Sequence, residues 1–261
     1  MQGNVLYSGI FDSHAHYNDE RFDEDREAIL ASLPDQGVCG IVNCGCNVET
    51  SRISLEYAQK YPYIYAAAGF HPEQADEYSE EGMNTIREML KHPKMVAVGE
   101  IGLDYYWPEP NRQIQKDVLE KQLILAKELD LPVIIHSRDA AEDTIQILKK
   151  YPGVRGVIHC FSGSAETAKI FLNMGFYIGF TGVLTFANNR RSVEACRIVP
   201  LDRLLLETDC PYMAPVPCRG KRCWSPMIAY TAERMAEIKG ISVQELLDIT
   251  RQNSYTLFSI H

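Results

Sequence analysis

Met95-Val96-Ala97-Val98-Gly99-Glu100-Ile101, then Asn111–Asp130, then Pro132-Val133-Ile134-Ile135 set the architecture of this chain. The first and last runs are short, apolar and rich in β-branched residues, as buried strands are. Between them Ile114, Val118, Leu125 and Leu129 recur at turn spacing among charged residues, which predicts an amphipathic helix. Strand, helix and strand in that order predict parallel pairing through a crossover helix.

The same unit repeats on either side. Apolar or β-branched runs stand at Ile10–Phe11, Gly40–Cys44, Tyr63–Gly69, Met95–Ile101, Pro132–Ile135, Gly156–Cys160, Phe176–Thr181 and Arg203–Glu207. Charged segments of helical periodicity separate them, several closing on Gly or Pro as in Lys60-Tyr61-Pro62 and Asn173-Met174-Gly175. Eight strand–helix units in 261 residues predict an α/β chain folded as a (β/α)8 TIM barrel. An open dinucleotide-binding sheet is disfavoured, because no G-x-G-x-x-G turn follows the first strand. Ser242–Phe258 predicts an additional C-terminal helix, with Ser242 as N-cap and Glu245 completing a capping box. No linker divides the chain, so residues 1–261 read as a single domain.

Composition narrows the function classes. No apolar run reaches the ~18 residues that cross a bilayer. Met1-Gln2-Gly3-Asn4 lacks the basic start and apolar stretch of a signal peptide, so a cytoplasmic location is expected. Cys39, Cys44, Cys160 and Cys196 lie in apolar segments, and the eight cysteines are expected to be reduced, structural thiols. A formal net charge of −9 argues against tracking along duplex DNA and confines any nucleic-acid contact to a local patch. The one dense basic cluster is Arg219-Gly220-Lys221-Arg222.

Polar residues gather at the strand ends, where barrels of this kind carry their sites. His14 and His16 follow the first strand, and alternation puts Asp12, His14 and His16 on one face. His71 follows the third strand, Glu100 sits on the fourth, His136 on the fifth and His159 on the sixth, with Glu207 and Asp209 on the eighth. Five of the seven histidines stand on these ends. Four imidazoles with two or three carboxylates exceed the needs of one tetrahedral ion and suit two ions sharing a carboxylate.

Phe11-Asp12-Ser13-His14-Ala15-His16 resembles the opening motif of the TatD family of metal-dependent hydrolases. So do Gly69-Phe70-His71-Pro72, Val98-Gly99-Glu100-Ile101-Gly102-Leu103-Asp104-Tyr105, Ile135-His136-Ser137-Arg138, His159-Cys160-Phe161-Ser162-Gly163 and Glu207-Thr208-Asp209, in the family's order. The resemblance implies a TIM barrel of the amidohydrolase superfamily, with nuclease activity in several members. It implies one metal on His14, His16, Glu100 and Asp209, and a second on Glu100, His136 and His159. Where the family often reads Arg-Asn-Glu-Pro after the basic loop, this chain reads Arg222-Cys223-Trp224-Ser225-Pro226, which bears on substrate preference.

The expected chemistry is phosphodiester hydrolysis at single-stranded or frayed DNA ends by a water that two divalent ions (Mg, Mn, Zn or similar) activate. Asp209 is expected to take the proton or to serve as a ligand only, Glu207 to support the site or stand near the leaving oxygen, and His71 to donate to the phosphate or leaving group or to anchor its loop. Arg138, and Lys221 with Arg219 or Arg222, are expected on phosphates, and Tyr212 and Trp224 on a terminal base. One alternative is an ester or amide hydrolase such as a D-aminoacyl-tRNA deacylase. Another is a non-catalytic metal- or nucleic-acid-binding protein. A monomer is expected.

Overall fold

The structure, a computed structural model, describes residues 7–261. The Met1–Asn4 stretch lies outside the described residues. Eight strands, β1 (Ile10–Ala15), β2 (Val38–Cys44), β3 (Ile64–Ala68), β4 (Met95–Asp104), β5 (Val133–Arg138), β6 (Gly156–Ile158), β7 (Tyr177–Phe180) and β8 (Leu204–Leu206), pair in parallel in chain order. The ring closes beyond the end of β8. There Asp209 N donates to His14 O and His16 N donates to Cys210 O, both at 2.9 Å. Closure thus uses the residues on which the metal reading rests.

The helices are α1 (Arg26–Ser32), α2 (Val48–Lys60), α3 (Glu80–Met89), α4 (Arg112–Leu129), α5 (Ala141–Lys150), α6 (Ala165–Asn173), α7 (Arg190–Ile198), α8 (Ile228–Lys239) and α9 (Val243–Phe258). Asn111 caps α4 by accepting from Gln113 N and Ile114 N. The buried stripe of α4 runs through Val118, Leu119, Leu123, Leu125 and Ala126, whereas Ile114 is exposed in the first turn. Two buried glutamines on α4 hold loop backbones. Gln115 pairs with both N and O of Asp104, and Gln122 with both N and O of Phe70, at 2.7–3.0 Å. One helix therefore fixes the backbones that carry Asp104 and His71.

Ser242 caps α9 by accepting from Glu245 N at 3.2 Å. The capping box is not completed, because no bond from Ser242 N–H to the Glu245 carboxylate forms among the described residues. The far end of α9 reaches the barrel interior. Leu257 and Phe258 pack with Phe11, Val42, Ala67, Ala97, Ile134, Val157, Tyr177 and Leu205, so every strand contributes to this apolar plug. The outward residues of the strands meet the helices in a second, larger core. No helix among the described residues is long and apolar enough to cross a membrane. The eight cysteines are free.

Candidate metal centre and its rim

The polar layer rests directly on the apolar plug. On three strands it stands two residues further along on the same face: His136 above Ile134, His159 above Val157, and Glu207 above Leu205. On β1 and β4 simple alternation fails. Asp12 pairs with Ile41 and Ala15 with Asn43, so β1 advances three residues while β2 advances two. Val98 pairs with Val133 and Ile101 with Ile135, the same slip on β4. Such bulges re-aim side chains. They bring His14, His16 and Glu100 to the cluster and send Asp12 elsewhere.

Asp12 therefore does not share a face with the two histidines, contrary to the expectation from alternation. It accepts from Thr208 N, Thr208 Oγ1 and Ser225 Oγ at 2.9, 2.6 and 2.7 Å, tying β1 to the residues after β8. Burial raises its carboxyl to about 6 against the pull of those bonds. The Cys223-Trp224-Ser225 departure is explained by the same contact. Cys223 and Ser225 are buried, Ser225 N donates to the Tyr17 phenol oxygen, and Trp224 packs half-buried against the core. The segment is thus packed into the barrel wall, with Trp224 partly buried.

Glu100 lies at the centre. Its Oε2 is 3.2 Å from His14 Nε2 and 3.3 Å from His16 Nε2. Asp209 Oδ1 lies 3.6 and 3.5 Å from the same two nitrogens, which are 2.9 Å apart. Glu100 Oε1 faces the other side, 2.8 Å from His136 Nδ1, 3.0 Å from His159 Nε2 and 3.5 Å from His71 Nε2.

Three of the four imidazoles have their other nitrogen paired, and the fourth, His159, has a carboxylate close by without a hydrogen bond to it. His16 Nδ1 lies 3.1 Å from the Cys44 carbonyl oxygen, and His136 Nε2 lies 2.9 Å from Asp104 Oδ2. His159 Nδ1 lies 3.3 Å from Glu207 Oε1, and His14 Nδ1 lies 3.5 Å from Cys44 Sγ. Carbonyl and carboxylate oxygens only accept, so in the neutral rings of His16 and His136 these nitrogens carry the hydrogen and the bare lone pairs face Glu100. That is the donor form a metal ligand needs. His71 is wired in reverse. Its Nδ1 accepts from Glu73 N at 3.2 Å, so its Nε2 carries the hydrogen and faces Glu100 as a donor.

Charge balance agrees with a site for cations. Burial opposes ionisation of Glu100 and Asp209, yet the surrounding imidazoles hold Glu100 well below the usual range and Asp209 below it. Burial likewise opposes the imidazolium of His136, but the Asp104 and Glu100 carboxylates outweigh it and raise the ring to about 9. His14, buried and stacked 3.8 Å from the His159 ring, is pushed down. A divalent ion replaces such protons when it binds. The donors therefore fit a divalent metal.

Further groups complete the setting, with Asp104, two glycines and Cys46 given no role by the sequence pattern and Glu207 at its expected strand end. Asp104 belongs to the quoted fourth-strand motif, but only the longer β4 and the Gln115 clamp put it behind His136. Two glycines make room. A Cβ on Gly102 would meet the His136 carbonyl oxygen at 1.9 Å, and one on Gly179 would meet Glu207 Oε2 at 2.3 Å. Cys46 reaches the cluster edge, with Sγ 3.9 Å from His16 Nδ1, and burial raises its thiol away from the thiolate form. Glu207 is fully buried, bonded to Cys160 N and placed 3.4 Å from Ser13 Oγ.

The expected substrate contacts divide. Tyr212, Arg219 and Lys221 line a cavity of ≈ 330 Å³ with Arg21 and Phe186, beside the Asp209 turn. Arg21 lies 4.1 Å over the Tyr212 ring and Arg219 lies 4.2 Å over Phe186. Arg222 turns away from this cavity into a bidentate pair with Asp25, at 2.9 and 2.6 Å. Arg138 ends β5 opposite Asp104 and lies 3.8 Å over the Tyr106 ring.

Comparison with known proteins gives this geometry a family. The model of TatD-related DNases matches residues 11–259. Metal-dependent hydrolase YabD of Bacillus subtilis is 43% identical over 254 residues, covering 97% of this chain and 100% of that one. A protein of Erwinia tasmaniensis named 3'-5' ssDNA/RNA exonuclease TatD is 34% identical over 264 residues, covering 96% of this chain and all of its own. The crystal structure of the TatD homologue YjjV from Escherichia coli superimposes with a TM-score of 0.91 at 33% identity, covering 97% of this chain and 99% of that chain. This chain belongs to the TatD family and is a metal-dependent hydrolase.

Proposed function

We propose that this hydrolase cleaves phosphodiester bonds at single-stranded or frayed DNA ends, using two divalent ions that share Glu100. The observation that carries the proposal is the division of labour in that carboxylate: Oε2 faces His14, His16 and Asp209, while Oε1 faces His136 and His159. His14, His16 and Asp209 would hold one ion and His136 with His159 the other. Imidazole-rich donors suit Zn, Mn, Fe(II) or Ni, and the carboxylates also admit Mg. When bound, the ions supply an acidified water and positive charge for the attacking and leaving oxygens.

The chain's own groups do the rest. Asp209, held ionised beside His14 and His16, accepts the proton of the attacking water. His71 presents its Nε2 hydrogen to a phosphate oxygen or leaving group, because Glu73 N–H occupies its other nitrogen. Glu207, locked between Cys160 N and Ser13 Oγ, holds His159 in place. Arg138 on one rim and Lys221 with Arg219 on the other bind phosphates that flank the scissile bond. Local cations on a chain of net charge −9 favour short or end-on strands over duplex tracking. The name of the Erwinia relative supports a single-stranded substrate.

A metal-titrated assay on short oligonucleotides labelled at the 3′ or the 5′ end tests this reading. Stripped protein should be inactive, and Mn, Mg or Zn should restore release of labelled nucleotides. Full turnover in EDTA after stripping would sink the metal requirement. Amino-acid release from aminoacyl-tRNA, with oligonucleotides left intact, would transfer the site to ester hydrolysis.

A further inference from the structure

The rim above β4 and β5 carries two large aromatic side chains that no role so far absorbs. Tyr106 is 54% exposed and Trp107 is 49% exposed. Their rings meet edge to face, with centroids 4.7 Å apart at 89°. Half-exposed aromatics side by side offer flat apolar faces to a ligand.

These rings are anchored to the metal cluster. Asp104 Oδ1 accepts from Tyr106 N at 2.9 Å, while Asp104 Oδ2 holds His136 Nε2 at the same distance. Arg138, two residues beyond His136, covers the Tyr106 ring at 3.8 Å, and Arg112 lies 4.2 Å over Tyr105. The Tyr106 face is thus taken by a guanidinium, whereas Trp107 has no cation over its ring among the described residues. An aromatic plane beside guanidinium groups, next to a hydrolytic centre, matches a base attached to a phosphate.

We propose that Trp107, braced by Tyr106 and Arg138, is a stacking subsite for a nucleobase of the substrate strand. It deepens the nuclease reading and rests on it. In a ring of eight strands, β4 and β5 stand across the mouth from β8 and β1. The Trp107 rim therefore faces the cavity of Arg21, Tyr212, Arg219 and Lys221 across the Glu100 cluster. A strand held at both rims crosses the cluster between them, so the substrate is an oligonucleotide and not a lone mononucleotide ester. Stacking has no preference among bases, which suits degradation of any sequence.

The chain has two tryptophans, so Trp224→Phe leaves Trp107 as the single indole reporter. Metal-loaded W224F is titrated with a non-hydrolysable phosphorothioate oligothymidylate and with an abasic oligomer of equal charge. The expected result is quenching of Trp107 by the base-bearing oligomer alone. In the otherwise wild-type chain, Trp107→Ala is expected to raise KM for a cleavable oligothymidylate by ~5- to 150-fold, the loss of one stacked base. Equal quenching by both oligomers, or an unchanged KM in Trp107→Ala while oligonucleotides are still cleaved, overturns the subsite and leaves the nuclease reading standing. Base-dependent quenching without cleavage of any oligonucleotide supports the subsite and overturns the nuclease reading. Neither quenching nor cleavage overturns both.

Discussion

The two ends of the barrel interior are built from the same strands and hold opposite chemistries. Towards the N-terminal end Phe11, Ile134, Val157 and Leu205 meet Leu257 and Phe258 of α9 in an apolar plug. One pleat repeat higher, ~7 Å along each strand, His136, His159 and Glu207 stand on the same faces around Glu100. The lower layer gains stability by leaving water. The upper layer keeps buried charges that only mutual pairing or a bound cation can balance. So short a distance between them means that stability and chemistry can be perturbed separately.

The largest effect is expected from Glu100→Ala, which removes the carboxylate facing both donor sets. Hydrolysis should fall by at least about a thousandfold, beyond the ~10–100-fold cost of losing a supporting partner. Metal titration should show binding lost while circular dichroism shows the barrel intact. Coincident unfolding would tie the two layers together after all.

Phe258→Ala tests the opposite end. Removing this buried ring should cost about 3–5 kcal/mol in urea unfolding. Metal affinity of the molecules that remain folded should not move, because Phe258 touches the plug and not the cluster. A matching loss of metal affinity would show that the plug positions the ligands.

Asp104→Asn stands between the two layers in effect. It should weaken metal binding by ~10–100-fold, since the carboxylate charge behind His136 is lost and a single amide oxygen cannot accept from both Tyr106 N and His136 Nε2. The change should register in metal Kd with little shift in the unfolding midpoint. An unaltered Kd would leave Asp104 as a loop anchor for Tyr106 alone. The smallest effect belongs to Ser242→Ala, which removes the α9 cap at a cost of about 1 kcal/mol. Urea unfolding should detect it, and activity should be untouched.

Much of this was legible in the residues. Eight apolar runs at regular spacing leave few architectures besides a parallel barrel, because each strand needs a crossover helix and each helix a sheet to cover. Within a strand, period-two alternation connects Ile134 to His136 and Val157 to His159, so those ligands follow from local geometry. The same rule misplaced Asp12, since a bulge is set by pairing with the neighbouring strand and leaves no mark in the strand's own pattern. The pairing of Arg222 and the half-buried seat of Trp224 were hidden for a related reason. A basic loop looks alike in sequence whether its cations face a cleft or, as for Arg222 and Asp25, an acidic neighbour nearly two hundred positions away in the chain.

Residue order alone settled the strand–helix alternation, the ends on which the histidines fall and the stock of metal donors, because each depends on near neighbours in the chain. It did not settle which nitrogen of His16 and His136 faces Glu100, which Glu100 oxygen faces which set, that Asp104 stands behind His136, or that Arg21 joins Tyr212, Arg219 and Lys221 around one cavity. Those depend on strand slips of one residue and on side chains that meet only when β1, β4 and β8 close into a ring. Ring closure is a long-range event, and contacts made at long range have no counterpart in local periodicity.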